Sequence, residues 1–147
     1  MIPGLKNKNT KMLIETYSYE GEGYDPFLIR NNWQVAKLNY MPGQGLTDII
    51  KIDKHSATDE VFILLKGVSV LIAAERNEKG YSFHSLKMQP GITYNIPAGT
   101  WHNIAMDTDA ELIIVENSNT HLHDCIYVPL NENEKIDLFD SIQSALK

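Results

Sequence analysis

Gly91-Ile92-Thr93-Tyr94-Asn95-Ile96-Pro97-Ala98-Gly99-Thr100-Trp101-His102 is the stretch that decides the fold. A brief extended segment, Thr93 to Ile96, stops at Pro97, a residue that cannot donate to a sheet ladder. Pro97 and Gly99 then turn the chain, and His102 lies at the head of the next strand-like run, Trp101 to Met106. A second stretch repeats the plan. His55-Ser56-Ala57-Thr58-Asp59-Glu60 leads into an apolar run that ends at Lys66-Gly67. Together the two stretches offer two imidazoles and a carboxylate, the minimum set for a facial metal site.

Outward from these motifs the chain reads as short extended segments between turn signals. Glu15 to Glu20, Trp33 to Met41, Ile49 to Lys54, Val61 to Leu65, Val68 to Ala74, Tyr81 to Met88 and Glu111 to Glu116 are expected strands, with Glu75 to Gly80 a polar hairpin loop. Strands of this length at roughly ten-residue spacing point to an all-β sandwich or barrel. The C-terminus differs. Leu138, Phe139, Ile142 and Leu146 recur at helical spacing, which predicts an amphipathic helix from about Glu134, capped by Asn131 or Asn133. Residues 1–11 are polar and read as an N-terminal arm, leaving residues 12–147 as one domain.

Bulk properties narrow the function classes. At 147 residues the chain is long enough for a core of its own. The formal net charge of -6, without a Lys/Arg cluster, argues against a nucleic-acid partner. No apolar run approaches the roughly 18 residues of a membrane span. The opening residues hold no apolar signal core, and the single Cys125 cannot form an intrachain disulfide. A cytoplasmic protein with a small-molecule ligand is the expectation.

Strand phase orders the first motif. Side chains two apart share a face, so Lys51, Asp53 and His55 point one way and Ile50 and Ile52 the other. A polar face turned into a barrel is costly unless its groups are paired or bind something. Glu60 opens the next strand on the face of Phe62 and Leu64.

This arrangement resembles the cupin superfamily. The first cupin motif has the form Gly-x5-His-x-His-x(3,4)-Glu-x6-Gly, and His55, Glu60 and Gly67 match its second half. The second, Gly-x5-Pro-x-Gly-x2-His-x3-Asn, matches at Gly91, Pro97, Gly99 and His102, with Met106 where Asn is usual. The resemblance implies a jelly-roll β-barrel or sandwich holding a divalent metal (Fe, Mn, Ni or Zn), with His55, Glu60 and His102 as ligands. The first histidine of the family pair falls on Asp53. Asp53 either completes the set through oxygen or marks its loss.

The expected function is therefore a metal-dependent enzyme, a lyase, isomerase or oxygenase, acting on a small polar metabolite. That metabolite is a carboxylate, sugar or ureido compound. Some small cupins resembling this chain are grouped with ureidoglycolate lyases or sugar-nucleotide isomerases, and the resemblance does not choose between them. Glu60 and Lys51 are the candidate catalytic groups, Lys51 as a base or as the holder of a substrate carboxylate. The alternative is a metal-free binding or sensor barrel, motivated by Asp53 and Met106. Outward Ile50 and Ile52, with the C-terminal helix, are the expected contact of a homodimer. His121 and His123, two apart, read as a second candidate ligand pair near a rim, and His84 as a barrel-lining residue.

Overall fold

The structure, a computed structural model, describes residues 13–147; the expected arm at residues 1–11 lies outside them. Among the described residues, ten strands form two five-stranded sheets. The first holds β1 (Gly23–Ile29), β2 (Gln34–Asn39), β4 (Glu60–Lys66), β7 (Thr93–Ile96) and β9 (Glu111–Glu116) in the order β1-β2-β9-β4-β7. The second holds β3 (Lys51–Lys54), β5 (Ser69–Asn77), β6 (Gly80–Lys87), β8 (Trp101–Met106) and β10 (Ile126–Pro129) in the order β10-β3-β8-β5-β6. Every pairing of these strands is antiparallel. With β1 and β10 set aside as added edges, β2-β9-β4-β7 faces β3-β8-β5-β6, the strand order of a jelly roll. A one-turn helix, α1 (Thr120–His123), and a terminal helix, α2 (Glu132–Leu146), complete the chain.

The apolar residues divide into two cores. Leu38, Phe62, Leu112 and Ile114 of the first sheet meet Leu71, Ile104 and Met106 of the second between the sheets. Ile52, Val70, Ile72 and Ala105 point out of the second sheet's other face and are covered by Leu138 and Ile142 of α2. This explains the unbroken buried run Ser69–Ile72 at the start of β5, whose two faces are both buried. It also corrects the expectation for Ile52. The strand phase is right, but Ile52 is fully buried because the helix lies over that face, while Ile50 stays 57% exposed. Each Leu or Ile that α2 seals contributes about 1.5–3 kcal/mol. Asn131 caps the helix by accepting from Glu134 N–H, and the Glu134 carboxylate answers to Asn131 N–H.

Two further expectations change. Glu15–Glu20 forms no strand. Its Tyr19 carbonyl and that of Gly21 are taken up by Lys37 Nζ and Asn39 Nδ2 from β2, so side chains replace the ladder. The outer strand is instead β1, where Pro26 falls at a register irregularity between Asp25 and Leu28, a tolerable place on an edge. The β5–β6 hairpin is tighter than a Glu75–Gly80 loop, because the ladder continues to Asn77 opposite Gly80.

Gly67 shows why the first motif ends in glycine. Its φ is +80°, and a Cβ there would lie 2.5 Å from the Ala110 Cα. Both the left-handed backbone and the close approach exclude a side chain.

Candidate metal centre

β3 and β8 pair with Asp53 opposite His102, and the chain leaves β3 into His55. On the facing sheet β4 opens with Glu60, inward like Phe62 and Leu64. The two motifs are tied across their turns. Gly99 N–H donates to the His55 carbonyl at 2.6 Å. The Asp59 carboxylate accepts from Ala98 N–H at 2.8 Å and from Asn95 Nδ2 at 3.1 Å. These bonds hold Asp59 below the usual carboxylate range. The loop after β9 adds a clamp, since Asp124 accepts from the N–H groups of Ser56 and Ala57, both at 2.8 Å.

Asp53, His55, Glu60 and His102 meet in the space thus framed. One ligand atom from each lies within 4.8 Å of all the others, a group that could hold a metal ion. Glu60 Oε2 is 2.8 Å from Nε2 of both His55 and His102. Asp53 Oδ2 is 3.5 Å from His55 Nε2 and 3.6 Å from His102 Nε2.

The imidazoles are oriented by their outer nitrogens. His55 Nδ1 lies 2.6 Å from the Asp124 carbonyl and His102 Nδ1 2.9 Å from that of Thr100. A carbonyl only accepts, so each Nδ1 carries its proton, and each neutral ring turns the Nε2 lone pair inward. This is the tautomer of a metal-ligating histidine. Four electron-rich atoms then face one another, and only a cation, as protons or as a metal ion, can sit among them. The residues present fit a divalent metal, and their mixed nitrogen and oxygen set is compatible with Fe, Mn, Ni and Zn alike.

Proton affinities follow the same logic. Burial by itself would lower the His55 pKa, but the bonded Glu60 carboxylate, the Asp124 carbonyl and Asp53 raise it to about 9. His102 moves the same way, burial again being outweighed by Glu60 and Asp53. Burial would push Glu60 up, but the two imidazoles hold it below the usual carboxylate range. Asp53 is raised, burial prevailing over its histidine neighbours.

The four groups lie at the wall of a cavity of about 190 Å3, which also reaches Tyr24, Glu116, His121 and Tyr127. The other sequence candidates fall differently. Lys51 is exposed, its Nζ 4.4 Å above the Tyr127 ring, so the structure does not bring it in with the four. His121 and His123 do not share a strand face. They sit on α1, where residues two apart diverge, and of the two His121 reaches the cavity. His84 is exposed on β6 instead of lining the barrel, and Met106 is fully buried in the inner core.

Sequence reasoning missed Glu116. It is 6% exposed at the end of β9, on the inward face of Leu112 and Ile114. Its Oε1 accepts from Tyr24 Oη at 2.6 Å and from Gln34 Nε2 at 3.2 Å. Burial and the Glu60 charge raise its pKa. The signal was present, because the alternation that turns Leu112 and Ile114 inward carries Glu116 with them.

No protein-family model matches the sequence, nor does any curated protein. Solved structures do match. The Bacillus halodurans protein BH2720 is 17% identical, with a TM-score of 0.53, the match covering 70% of this chain and 75% of that one. A cupin-2 domain containing protein from Shewanella frigidimarina NCIMB 400 is 22% identical, with a TM-score of 0.48, covering 67% of this chain and 84% of that one. KdgF from Halomonas sp. is 13% identical, with a TM-score of 0.48, covering 65% and 79%. The strand order and the likeness to BH2720 agree on a jelly-roll fold. In this jelly roll both motifs converge on one end of the space between the sheets, and the inner apolar core fills the rest.

Proposed function

We propose that the chain is a metal-dependent cupin enzyme acting on a small polar metabolite. The observation that carries this reading is the pair of imidazoles whose Nδ1 atoms are engaged by backbone carbonyls and whose Nε2 atoms converge with Glu60 and Asp53. His55, His102, Glu60 and Asp53 would hold the ion. When bound, a divalent ion there would polarise a carbonyl or lower the pKa of a bound water toward about 7. The chain's own residues do the rest. Asp124 and Thr100 fix the ring orientations, Phe62 and Ile114 exclude water on one side, and Tyr24 and Tyr127 supply hydroxyls at the cavity wall. A cavity of about 190 Å3 suits a carboxylate, ureido compound or sugar of a few carbons, since liquid water takes about 30 Å3 per molecule.

A second reading, a metal-free binding barrel, has one observation in its favour. Glu60 Oε2 lies 2.8 Å from both Nε2 atoms, so protons on the imidazoles complete the cluster without a metal. Metal analysis of protein purified without a histidine tag separates the two. About one equivalent of Fe, Mn, Ni or Zn, lost in His55→Ala and His102→Ala, supports the first. Less than about a tenth of an equivalent, with no rebinding of any of the four, ends it.

A further inference from the structure

Glu116 is a buried carboxylate with one oxygen accounted for and one not. Tyr24 and Gln34 both donate to Oε1, and Gln34 is itself fixed by Asn119 N–H, which donates to its Oε1 at 2.8 Å. Oε2 is buried and has no hydrogen-bond partner. It lies 3.9 Å from His55 Nε2, beyond hydrogen-bonding reach, and Glu116 is outside the group of four whose ligand atoms are mutually close. The carboxylate is therefore held rigidly at the cavity wall beside the candidate metal position with an acceptor left open. An open buried acceptor is costly unless something donates to it.

The charge around the cavity narrows what that donor is. Asp53, Glu60 and Glu116 line it, and no lysine or arginine does among the described residues. A divalent ion balances Asp53 and Glu60 and leaves Glu116 over. A dianionic ligand would bring like charge against Glu116 in a water-poor space, whereas an O–H or ammonium group would supply the missing donor and lower the repulsion.

We infer that Glu116 is a specificity-determining residue that selects a small non-anionic ligand, one carrying a hydroxyl or ammonium donor next to the oxygen that reaches the metal, and rejects dicarboxylates. The inference rests on the metal reading of the same site. Within that reading it favours the hydroxyl-rich or amine-bearing classes over carboxylates, and it removes the need for Lys51 to hold an anion.

The test uses the full chain loaded with Mn(II), with bound metal measured first in each protein. Wild type, Glu116→Gln and Glu116→Asp are titrated calorimetrically with 2-aminoethanol and with oxalate. Wild type is expected to prefer 2-aminoethanol. Glu116→Gln, which keeps the shape and removes the charge, is expected to lower that preference by about tenfold or more. Glu116→Asp, which keeps the charge and withdraws it from the ligand, is expected to lose 2-aminoethanol without gaining oxalate. Should Glu116→Gln fail to fold, the Asp variant carries the test. A wild type that prefers oxalate, that binds neither probe, or whose preference survives either folded variant within twofold overturns the inference. Absence of metal in wild type instead defeats the metal reading, so the two failures are distinct.

Discussion

Metal affinity should depend steeply on pH, because the atoms that would bind the ion hold protons in its absence. His55 sits at a pKa of about 9 against an ordinary 6.5. At pH 7 only about 1% of its rings are then free, so the apparent metal affinity is about 100-fold below its limit from this residue alone. His102, displaced in the same direction, steepens the dependence. Between pH 6.5 and 8.5 affinity should therefore rise by about 100-fold or more, measured by competition of Zn(II) against a chelator of known pH dependence. Calorimetry in two buffers of different ionisation enthalpy should show at least one proton released at pH 7. The sign for stability is opposite. A raised histidine pKa stabilises the protonated fold, so the metal-free protein carries this contribution below pH 6.5 and loses it as pH rises through about 9. The full contribution is about 3 kcal/mol. Its melting temperature should fall across that window, and the metal-loaded protein should not follow. A metal affinity flat between pH 6.5 and 8.5, with no proton released, would refute the convergence of Glu60 on both imidazoles as the source of the effect.

Other perturbations probe the supports. Asp124→Ala removes the carboxylate that accepts from Ser56 and Ala57 N–H; it should cost about 1–3 kcal/mol in urea unfolding. It should also weaken metal binding about tenfold by loosening the carbonyl behind His55. Gly67→Ala forces a Cβ against Ala110 at positive φ, and a loss of at least about 2 kcal/mol is expected, with an unchanged midpoint speaking against the turn geometry. Leu138→Ala opens a void beneath α2, and should cost about 2–5 kcal/mol while leaving metal content intact, since that core lies on the far face of the second sheet.

The sequence carried much of this site because strand alternation is a short-range rule. Asp53, His55 and Glu60 could be placed on inward faces from their neighbours alone, and the Pro97–Gly99 turn put His102 at the head of a strand. What it could not carry depends on partners distant in sequence. Ile52 looks solvent-facing until α2, some eighty residues on, is known to cover it. Glu15–Glu20 has strand composition, but its carbonyls are claimed by Lys37 and Asn39, which no local pattern announces. β10 is four residues long and becomes a strand only because the β3 edge is free to pair with it. Glu116 is the instructive case. Its face was readable, yet a carboxylate ending an apolar strand looks like a solvated terminus until Tyr24 and Gln34 are seen to close over it.

The placement of the four groups bears on whether Asp53 completes a site or marks its loss. Glu60 belongs to one sheet, and Asp53 and His102 to the other, with His55 just beyond β3. At this end of the sandwich the two sheets meet through polar groups, where elsewhere they meet through the inner apolar core. A cation among the four would join the sheets as that core does, and its binding would stabilise the fold in proportion to its affinity. In a metal site, the two imidazoles fixed by carbonyls would present their Nε2 atoms to the ion once deprotonated. Asp53 stands opposite His102 in register, with its carboxylate 3.5 Å and 3.6 Å from the two ring nitrogens. A second carboxylate there adds the negative charge that a divalent ion needs and that a neutral imidazole would not supply. Asp53→Asn tests this directly, because it keeps the shape and removes that charge. Metal affinity should drop by about tenfold or more, and an unchanged affinity would mean that Asp53 only fills space beside the histidines.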